Sequence, residues 1–449
     1  MKTPKLCSLL SVVFALLNFL VIEAEEHLRY AAIVFRHGDR TPINPYPNDP
    51  YRNESLWPVK FGQLTNKGKV QHFKLGQWLR CRYPNLVSTR FDPDEIYVQS
   101  SDVDRTLMSA LANLAGFFPP SADSIWNKDL EWQPIPVHTV PERNDDIIAM
   151  NKPCKAYDTE FKRVIKSAEY KERLSKYQPL MDYLSAHTGL NVRSYLDIES
   201  IYSDLLIEHT YNLTLPEWTH LVFPDQMLEP SGYSFTVETS TTLLARLKIG
   251  PFVKEVVGNM VKTADYDNSD DYNEKRTHLL GKPPKKLNIY SGHDLTVGSI
   301  LNGLGLYDGT CPTYTATVFF ELFYDDAVDT HFVQISYRNS VDIVEPDVLH
   351  IPKCGTRCPL ERFVEIYKDI MPADWDEECE KKVTVHLGYV SEIIEVKLFY
   401  GSLNKYIYFE SVYIIETTEE ARAARSPRAI ISAALAFCAP TLCFVLSNE

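Results

Sequence analysis

A chain of 449 residues is long enough to bury one large core or two associated ones, and 45% hydrophobic with 12% aromatic content excludes a disordered polymer. A formal charge of -14 argues against a general polyanion binder, so nucleic acid is not an expected partner. A few convergent arginines can still build a local positive pocket in an acidic protein.

The first element is Lys2 and Lys5 followed by the apolar run LCSLLSVVFALLNFLVI and then Ala24, a small residue where a peptidase could cut. This order predicts a secretory signal peptide over residues 1–24, with an uncleaved signal anchor as its alternative. Two sequons fit that route, Asn53-Glu54-Ser55 and Asn212-Leu213-Thr214, and make Asn53 and Asn212 candidate glycosylation sites. Of nine cysteines, Cys7 lies in the leader and Cys438 and Cys443 in the tail. Cys81, Cys154, Cys311, Cys354, Cys358 and Cys379 remain, an even set that an oxidising compartment can pair. The tight spacing in CGTRCP suits a bond between Cys354 and Cys358, and spacing ranks no other pairing. A zinc site would need a second C-x-x-C or a nearby histidine pair to complete its ligand set.

One pattern then occurs three times: a β-rich run, a short polar turn and helix-like sequence. It appears in RYAAIVFRHG, in DEIYVQSSDVDRTLMSALANLAGFF and in KLNIYSGHDLTVGSILNGLGLY. In the second, Ser101 or Asp102 is expected to cap the helix and to place Arg105 in its first turn. Ligands of open parallel sheets bind beyond the carboxyl ends of the strands, so the three junctions should gather Arg36, His37, Arg40, Arg105, His293 and Asp294. Between the second and third junctions the sequence is helix-patterned, which predicts a mainly helical cap inserted over about residues 129–264. The following TADYDNSDDYNEKRTHLLGKPPKK reads as an exposed loop with a short helix.

After the third junction, TATVFFELFY and HFVQISYRN alternate like paired strands and should add antiparallel members to the sheet. The fold class is therefore α/β: a mixed, mainly parallel central sheet flanked by helices, with an inserted mainly helical cap. Beyond Cys379, KKVTVHLGYV, EIIEVKLFY and KYIYFESVYIIE also alternate, and the pattern does not decide whether they join that sheet. Residues 416–449 read as a polar linker and a hydrophobic anchor signal, apolar from Ala429 to Leu446. This suits a GPI-attachment signal or a short type I anchor, with a buried C-terminal segment as the plainer reading.

Two or three converging arginines suit a phosphate group, because guanidinium forks match its oxygens and stay charged at every relevant pH. A histidine among them can attack phosphorus, and a neighbouring carboxylic acid can protonate the leaving oxygen and then activate water. Taken singly, His37 or His293 would read as a satisfied side chain and each arginine as a surface residue, while Asp39 and Asp102 suit turn caps. The combination at three strand ends changes that reading. A metallohydrolase using His37, Asp39, His293 and Asp294 is the competing chemistry, although neighbouring arginines disfavour a cation there.

RHGDRTP near the mature N-terminus, SSDVDRT about sixty residues later and the late SGHD together resemble the histidine acid phosphatases, of the secreted or lysosomal group. The similarity covers about residues 28–379, including CGTRCPLERF and DWDEEC. The resemblance implies a mixed, phosphoglycerate-mutase-like α/β domain with a helical cap, over residues 25–415. It implies that His37 forms a phosphohistidine, that Arg36, Arg40 and Arg105 clamp the phosphoryl group, that His293 hydrogen-bonds it and that Asp294 protonates the leaving group. It implies no metal or other cofactor, and a small-molecule or protein phosphate monoester as substrate. A homodimer stays open, and the location is extracellular or lysosomal, with membrane anchoring through the tail left open. The family's disulfides imply Cys154 with Cys379 and Cys354 with Cys358, and leave Cys81 with Cys311 by elimination. An acidic optimum is expected if an ordinary aspartate must be protonated. The alternatives are a phytase or inositol-polyphosphate phosphatase, and a non-catalytic secreted ligand-binding protein on the same fold.

Overall fold

The computed structural model describes residues 26–267 and 282–380, together with the backbone of residues 388–397 and 406–415. The leader at 1–24, most of the charged stretch before the third junction and the tail at 416–449 lie outside the described residues. Among the described residues, no helix is long and apolar enough to cross a membrane. The chain divides into two compact units, Met1–Lys382 and Val383–Glu449.

The first unit is built on β1 (Glu26–Arg36), which is fully buried from Tyr30 to Phe35. Its apolar residues are continuous rather than alternating because both of its faces are covered. Ala31, Ile33 and Phe35 pack with Leu75 and Leu79 of α1 (Asn66–Arg82) and with Leu114 and Phe117 of α2 (Asp104–Phe117), the helix that follows β2 (Ile96–Ser100). Tyr30, Ala32 and Val34 face a second core on the other side of the sheet.

A helical stretch follows: α3 (Lys155–Lys166), α4 (Ala168–Ser175), α5 (Gln178–Thr188), α6 (Tyr195–Thr210), α7 (Asp225–Val237), α8 (Thr242–Lys248) and α9 (Gly250–Asp267). The stretch expected over 129–264 is divided between cores. Helices α5, α6 and α7 share a core of their own through Leu184, Ile198, Leu205 and Met227, joined by Tyr46 from the loop after β1. Helices α8 and α9 instead cover the sheet through Ala245, Phe252 and Val256. Before α3, Ile135 and Ile148 fill the two sheet cores and His138 pairs with Gln99 beside β2. An amphipathic pattern reports that a helix has an apolar face and is silent on what that face meets.

The remaining strands are β3 (Leu287–Gly292), β4 (Thr317–Asp325), β5 (Thr330–Arg338), β6 (Asp347–Val348) and β7 (Cys358–Pro359), and α10 (Asp294–Gly303) follows β3. The sheet runs β2-β3-β1-β4-β5-β6, with β7 beside β5. Its parallel part is confined to β2, β3 and β1, the strands that precede the three junctions; the other pairings are antiparallel. The parallel register sets Arg36 opposite Gly292 and Ser100 opposite Ser291, so the three carboxyl ends finish level with one another. After α11 (Leu360–Tyr367) the unit closes with α12 (Trp375–Glu380).

Cys154, just before α3, is bonded to Cys379 in α12, and Cys354 is bonded to Cys358. The pairing of Cys81 with Cys311 that elimination left is corrected: both are free, Cys81 exposed on α1 and Cys311 partly buried against the α5–α7 core. In the second unit, β8 (Gly388–Lys397) and β9 (Tyr406–Ile415) form an antiparallel sheet of their own, Gly388 opposite Ile415 and Lys397 opposite Tyr406.

Candidate active site

The level strand ends are extended by main-chain bonds into the loops beyond them. His37 N–H donates to Gly292 O (2.9 Å), Ser101 N–H to Ser291 O (3.1 Å) and Thr315 N–H to His37 O (3.3 Å). Side chains of the two covering helices then fix the loop after β1. Gly38 N–H donates to Ser109 Oγ of α2 (3.1 Å), and Asp39 N–H donates to Gln71 Oε1 of α1 (2.8 Å). The buried His72, also on α1, donates its Nε2–H to Arg36 O (3.1 Å). This closeness demands glycine: a Cβ on Gly38 would lie 2.5 Å from Gly68 O, and one on Gly68 would lie 2.4 Å from Asp39 O.

These supports determine the state of His37. Its Nδ1 is 2.8 Å from Gly38 O; a carbonyl can only accept, so Nδ1 carries the proton and Nε2 keeps a free lone pair. Burial, followed by the charges of Arg36, Arg105, His293 and Arg40, pushes its pKa well below the ordinary histidine value. The imidazole is therefore neutral and nucleophilic even in acid.

Arg36, Arg40 and Arg105 lie around it. Arg36 donates Nη1–H to Pro312 O (2.6 Å), pairs through Nη2 with Asp294 Oδ2 (2.7 Å) and lies 4.5 Å from the centre of the Tyr314 ring. Arg40 donates to Thr41 O (3.1 Å), and its buried Nε, like those of Arg36 and Arg105, has no protein partner. Burial and the charge of Arg40 pull Arg105 down to about 10, the mark of like charges gathered in one place. Desolvation opposes ionisation of Asp294, yet Arg36, Arg40 and His293 outweigh it and hold the carboxyl at about 2. His293 points one nitrogen inward, Nε2 to Ser101 Oγ (2.9 Å), and turns Nδ1 towards Arg105 Nη2 (3.3 Å).

One expectation is corrected here. Helix α2 is capped by neither Ser101 nor Asp102: it starts at Asp104 after Val103, with no side-chain cap, because Ser101 Oγ is committed to His293 and Thr106. Arg105 nevertheless falls in its first turn. Asp39 does not present a metal ligand beside His37, since its Oδ2 accepts from Thr65 Oγ1 (2.5 Å) and Tyr211 Oη (2.7 Å). Among the described residues, no group of three or more His, Cys, Asp or Glu side chains is placed to hold a metal ion.

Sequence reasoning did not find the residues contributed by the cap. Tyr211, at the end of α6, reaches Asp39 across 172 positions, and Glu199 of α6 lies near enough to Asp294, Arg36 and Arg40 to sense their charges. Burial and Asp294 raise Glu199 to about 7. Deeper in the cap, Asp49, Asp204 and Glu208 are buried carboxyls; the protonated Glu208 donates a hydrogen bond to Asp49, while Tyr46 Oη has no hydrogen-bond partner. Burial is the first cause that lifts Asp204 to about 8 and Glu208 to about 9. The one sequence signal for this group was acidic residues recurring in the apolar stripe of α6, which also describes any helix with a mixed face.

A free histidine nitrogen ringed by arginines at the ends of parallel strands decides the family, and a family model matches residues 27–338. The chain belongs to the histidine phosphatase superfamily, branch 2. Within this superfamily, the chain is 37% identical over 366 residues to the prostatic acid phosphatase of Bos taurus, covering 80% of this chain and 89% of that protein. It is 35% identical over 357 residues to the lysosomal acid phosphatase of Homo sapiens, covering 79% of this chain and 80% of that protein. The superfamily fold is shared with the phytase of Citrobacter braakii, at a TM-score of 0.56 and 19% identity over 80% of this chain and all (100%) of that one. It is also shared with the tartrate complex of Hafnia alvei phytase, at a TM-score of 0.57 and 17% identity over 80% of this chain and 99% of that one.

Proposed function

We propose that this chain is an acid phosphatase that hydrolyses phosphate monoesters through a phosphohistidine on His37. The observation that carries the mechanism is the bond from His37 Nδ1–H to Gly38 O, which leaves a neutral Nε2 among three guanidinium groups. The activity is supported by relatives named as acid phosphatases along most of the chain.

Arg36, Arg40 and Arg105 bind the non-bridging phosphoryl oxygens and stabilise charge as the group transfers. His37 Nε2 bonds to phosphorus while the bond from phosphorus to the leaving oxygen breaks, and Asp294 gives that oxygen a proton. In the second half, the Asp294 carboxylate takes a proton from water as the water oxygen bonds to phosphorus. The P–N bond breaks, inorganic phosphate leaves and Asp294 is protonated again.

The charges of Arg36 and Arg40 hold Asp294 at about 2, against the expectation of an ordinary aspartate. An incoming phosphoryl group offsets the charges of Arg36 and Arg40 and occupies Arg36, and both effects allow Asp294 to take up the proton it later transfers. Acid operation then depends on the loaded site, while His37 stays neutral throughout.

Rapid acid-free quenching of enzyme mixed with a labelled aryl phosphate should trap label on His37, and inositol hexakisphosphate should be hydrolysed more slowly than the aryl ester. No covalent label would overturn the mechanism, and faster release from inositol hexakisphosphate would favour the phytase reading. For the secretory pathway, extracellular or lysosomal, the support is the leader sequence and the exposure of Asn53 and Asn212. Their sequons sit side by side, since Tyr51 Oη donates to Thr214 O (2.8 Å). A glycosidase-sensitive mass shift lost in Asn53→Gln and Asn212→Gln tests that use.

A further inference from the structure

The loop between α10 and β4 reaches the site without supplying any of its charged residues. On its far side it is tied to the residue after β5: Thr313 N–H donates to Asn339 Oδ1 (2.8 Å), and Thr313 Oγ1 donates to Asn339 O. On its near side it is tied to the end of β1, where Arg36 N–H donates to Ala316 O (2.9 Å) and Thr315 N–H to His37 O (3.3 Å). Between these ties Thr315 has a φ of 66°, a left-handed backbone that β-branched residues rarely adopt. Such a conformation persists where the surroundings over-determine it, and functional sites are where it is concentrated. Two groups of this loop meet one side chain: Pro312 O accepts from Arg36 Nη1 (2.6 Å), and the guanidinium carbon of Arg36 lies 4.5 Å from the centre of the Tyr314 ring. The ring is also 5.9 Å from that of His37, so it borders the nucleophile and the clamp together.

We propose that Tyr314 is a positioning residue, whose ring holds the Arg36 guanidinium in the phosphate clamp while Asp294 carries a proton and grips it less firmly. The inference rests on the phosphoryl-transfer reading of the site. Arg36 is held by Pro312 O, by the Tyr314 ring and by Asp294 Oδ2, while its buried Nε has no protein partner and is left for the phosphoryl oxygens. Of these holds, the one to Asp294 changes during turnover. A hydrogen bond to an ionised carboxylate is roughly twice as strong as one to a neutral group, so the grip weakens whenever Asp294 is protonated. An aromatic face attracts the cation in either state of that carboxyl. The ring is what acts, because the Tyr314 hydroxyl is 3.5 Å from Arg40 O, at the weak limit of a hydrogen bond.

The test measures binding of inorganic phosphate by calorimetry, which requires no turnover. Tyr314→Leu should bind phosphate about tenfold more weakly than the wild type, and Tyr314→Phe, which keeps the ring, should stay within about twofold of it. The loss caused by Tyr314→Leu should persist in Asp294→Asn, whose side chain is neutral at every pH. In Arg36→Ala it should shrink to about twofold or less, since the ring then has no guanidinium to hold. A folded Tyr314→Leu that binds phosphate as the wild type does, or that loses as much in Arg36→Ala, would overturn the proposal. Equal losses in Tyr314→Phe and Tyr314→Leu would do the same by assigning the effect to the hydroxyl. In the wild-type phosphate complex, magnetisation should pass through space between the Arg36 Nε–H and the Tyr314 ring protons; its absence would also overturn the proposal, without recourse to any variant. A wild type that binds no phosphate would overturn the reading of the site and this inference with it, whereas failure of the histidine mechanism alone would show as missing label on His37.

Discussion

The strand ends and the cap meet across the same site, and they handle charge in opposite ways. At the strand ends, every peptide from Arg36 to Asp39 has a named main-chain or side-chain partner. In the cap, Asp49 and Glu208 are buried carboxyls that share a hydrogen bond through the Glu208 proton. Positive charge is concentrated on the first side and carboxyl groups on the second. The bonded main chain of the first side has the rigidity that positioned chemistry needs, whereas the cap keeps its carboxyls buried by keeping them protonated.

The largest expected effect tests the rigid side. His37→Ala removes the nucleophile and should lower kcat for an aryl phosphate by about 10⁴-fold or more, with phosphate binding retained. Turnover within tenfold of wild type would remove His37 from the reaction. Asp294→Asn should cost about 10²- to 10⁴-fold on alkyl phosphates and clearly less on nitrophenyl phosphate, whose leaving oxygen needs less protonation. Equal losses on both substrates would show that Asp294 is not the acid.

The cap side is tested through stability. Asp204 and Glu208 keep their protons up to about 8 and about 9 in the fold, whereas unfolded carboxyls lose theirs near pH 4. Between those limits the folded state binds more protons, so this contribution is complete in acid and is lost as pH rises towards 9. The Tm of the wild type should fall from pH 5 to pH 9, and that of Glu208→Gln should fall less; parallel slopes would refute the protonated cap. The smallest effect belongs to the seam between the regions. Tyr211→Phe removes the hydrogen bond to Asp39 and should cost about fivefold in kcat/KM, the worth of about 1 kcal/mol, with Tm nearly unchanged.

The same contrast explains what was legible in the sequence. Strand β1 and the residues beyond it could be read because a run buried on both faces and the turn after it are local patterns, and the register of parallel strands does the gathering. The supports of the site could not be read in this way. Gln71, Ser109 and Tyr211 act on residues 32, 71 and 172 positions away, and nothing in their own neighbourhoods marks them. Ser101 was visible and given the wrong duty, since a serine before a helix looks like a cap whether or not its hydroxyl is spent elsewhere. The helices of 155–267 were recognisable as helices, while their allocation between the sheet and the cap depended on partners that an amphipathic pattern does not name.

The peptide between Gly38 and Asp39 uses its carbonyl to hold the proton of His37 and its N–H to hold Gln71. An imidazole oriented by a carboxylate loses its guide when that carboxylate is protonated, and so falters in the very medium an acid hydrolase inhabits. An amide has no proton to gain over that range. The nucleophile of this chain therefore takes its orientation from a partner that is blind to pH.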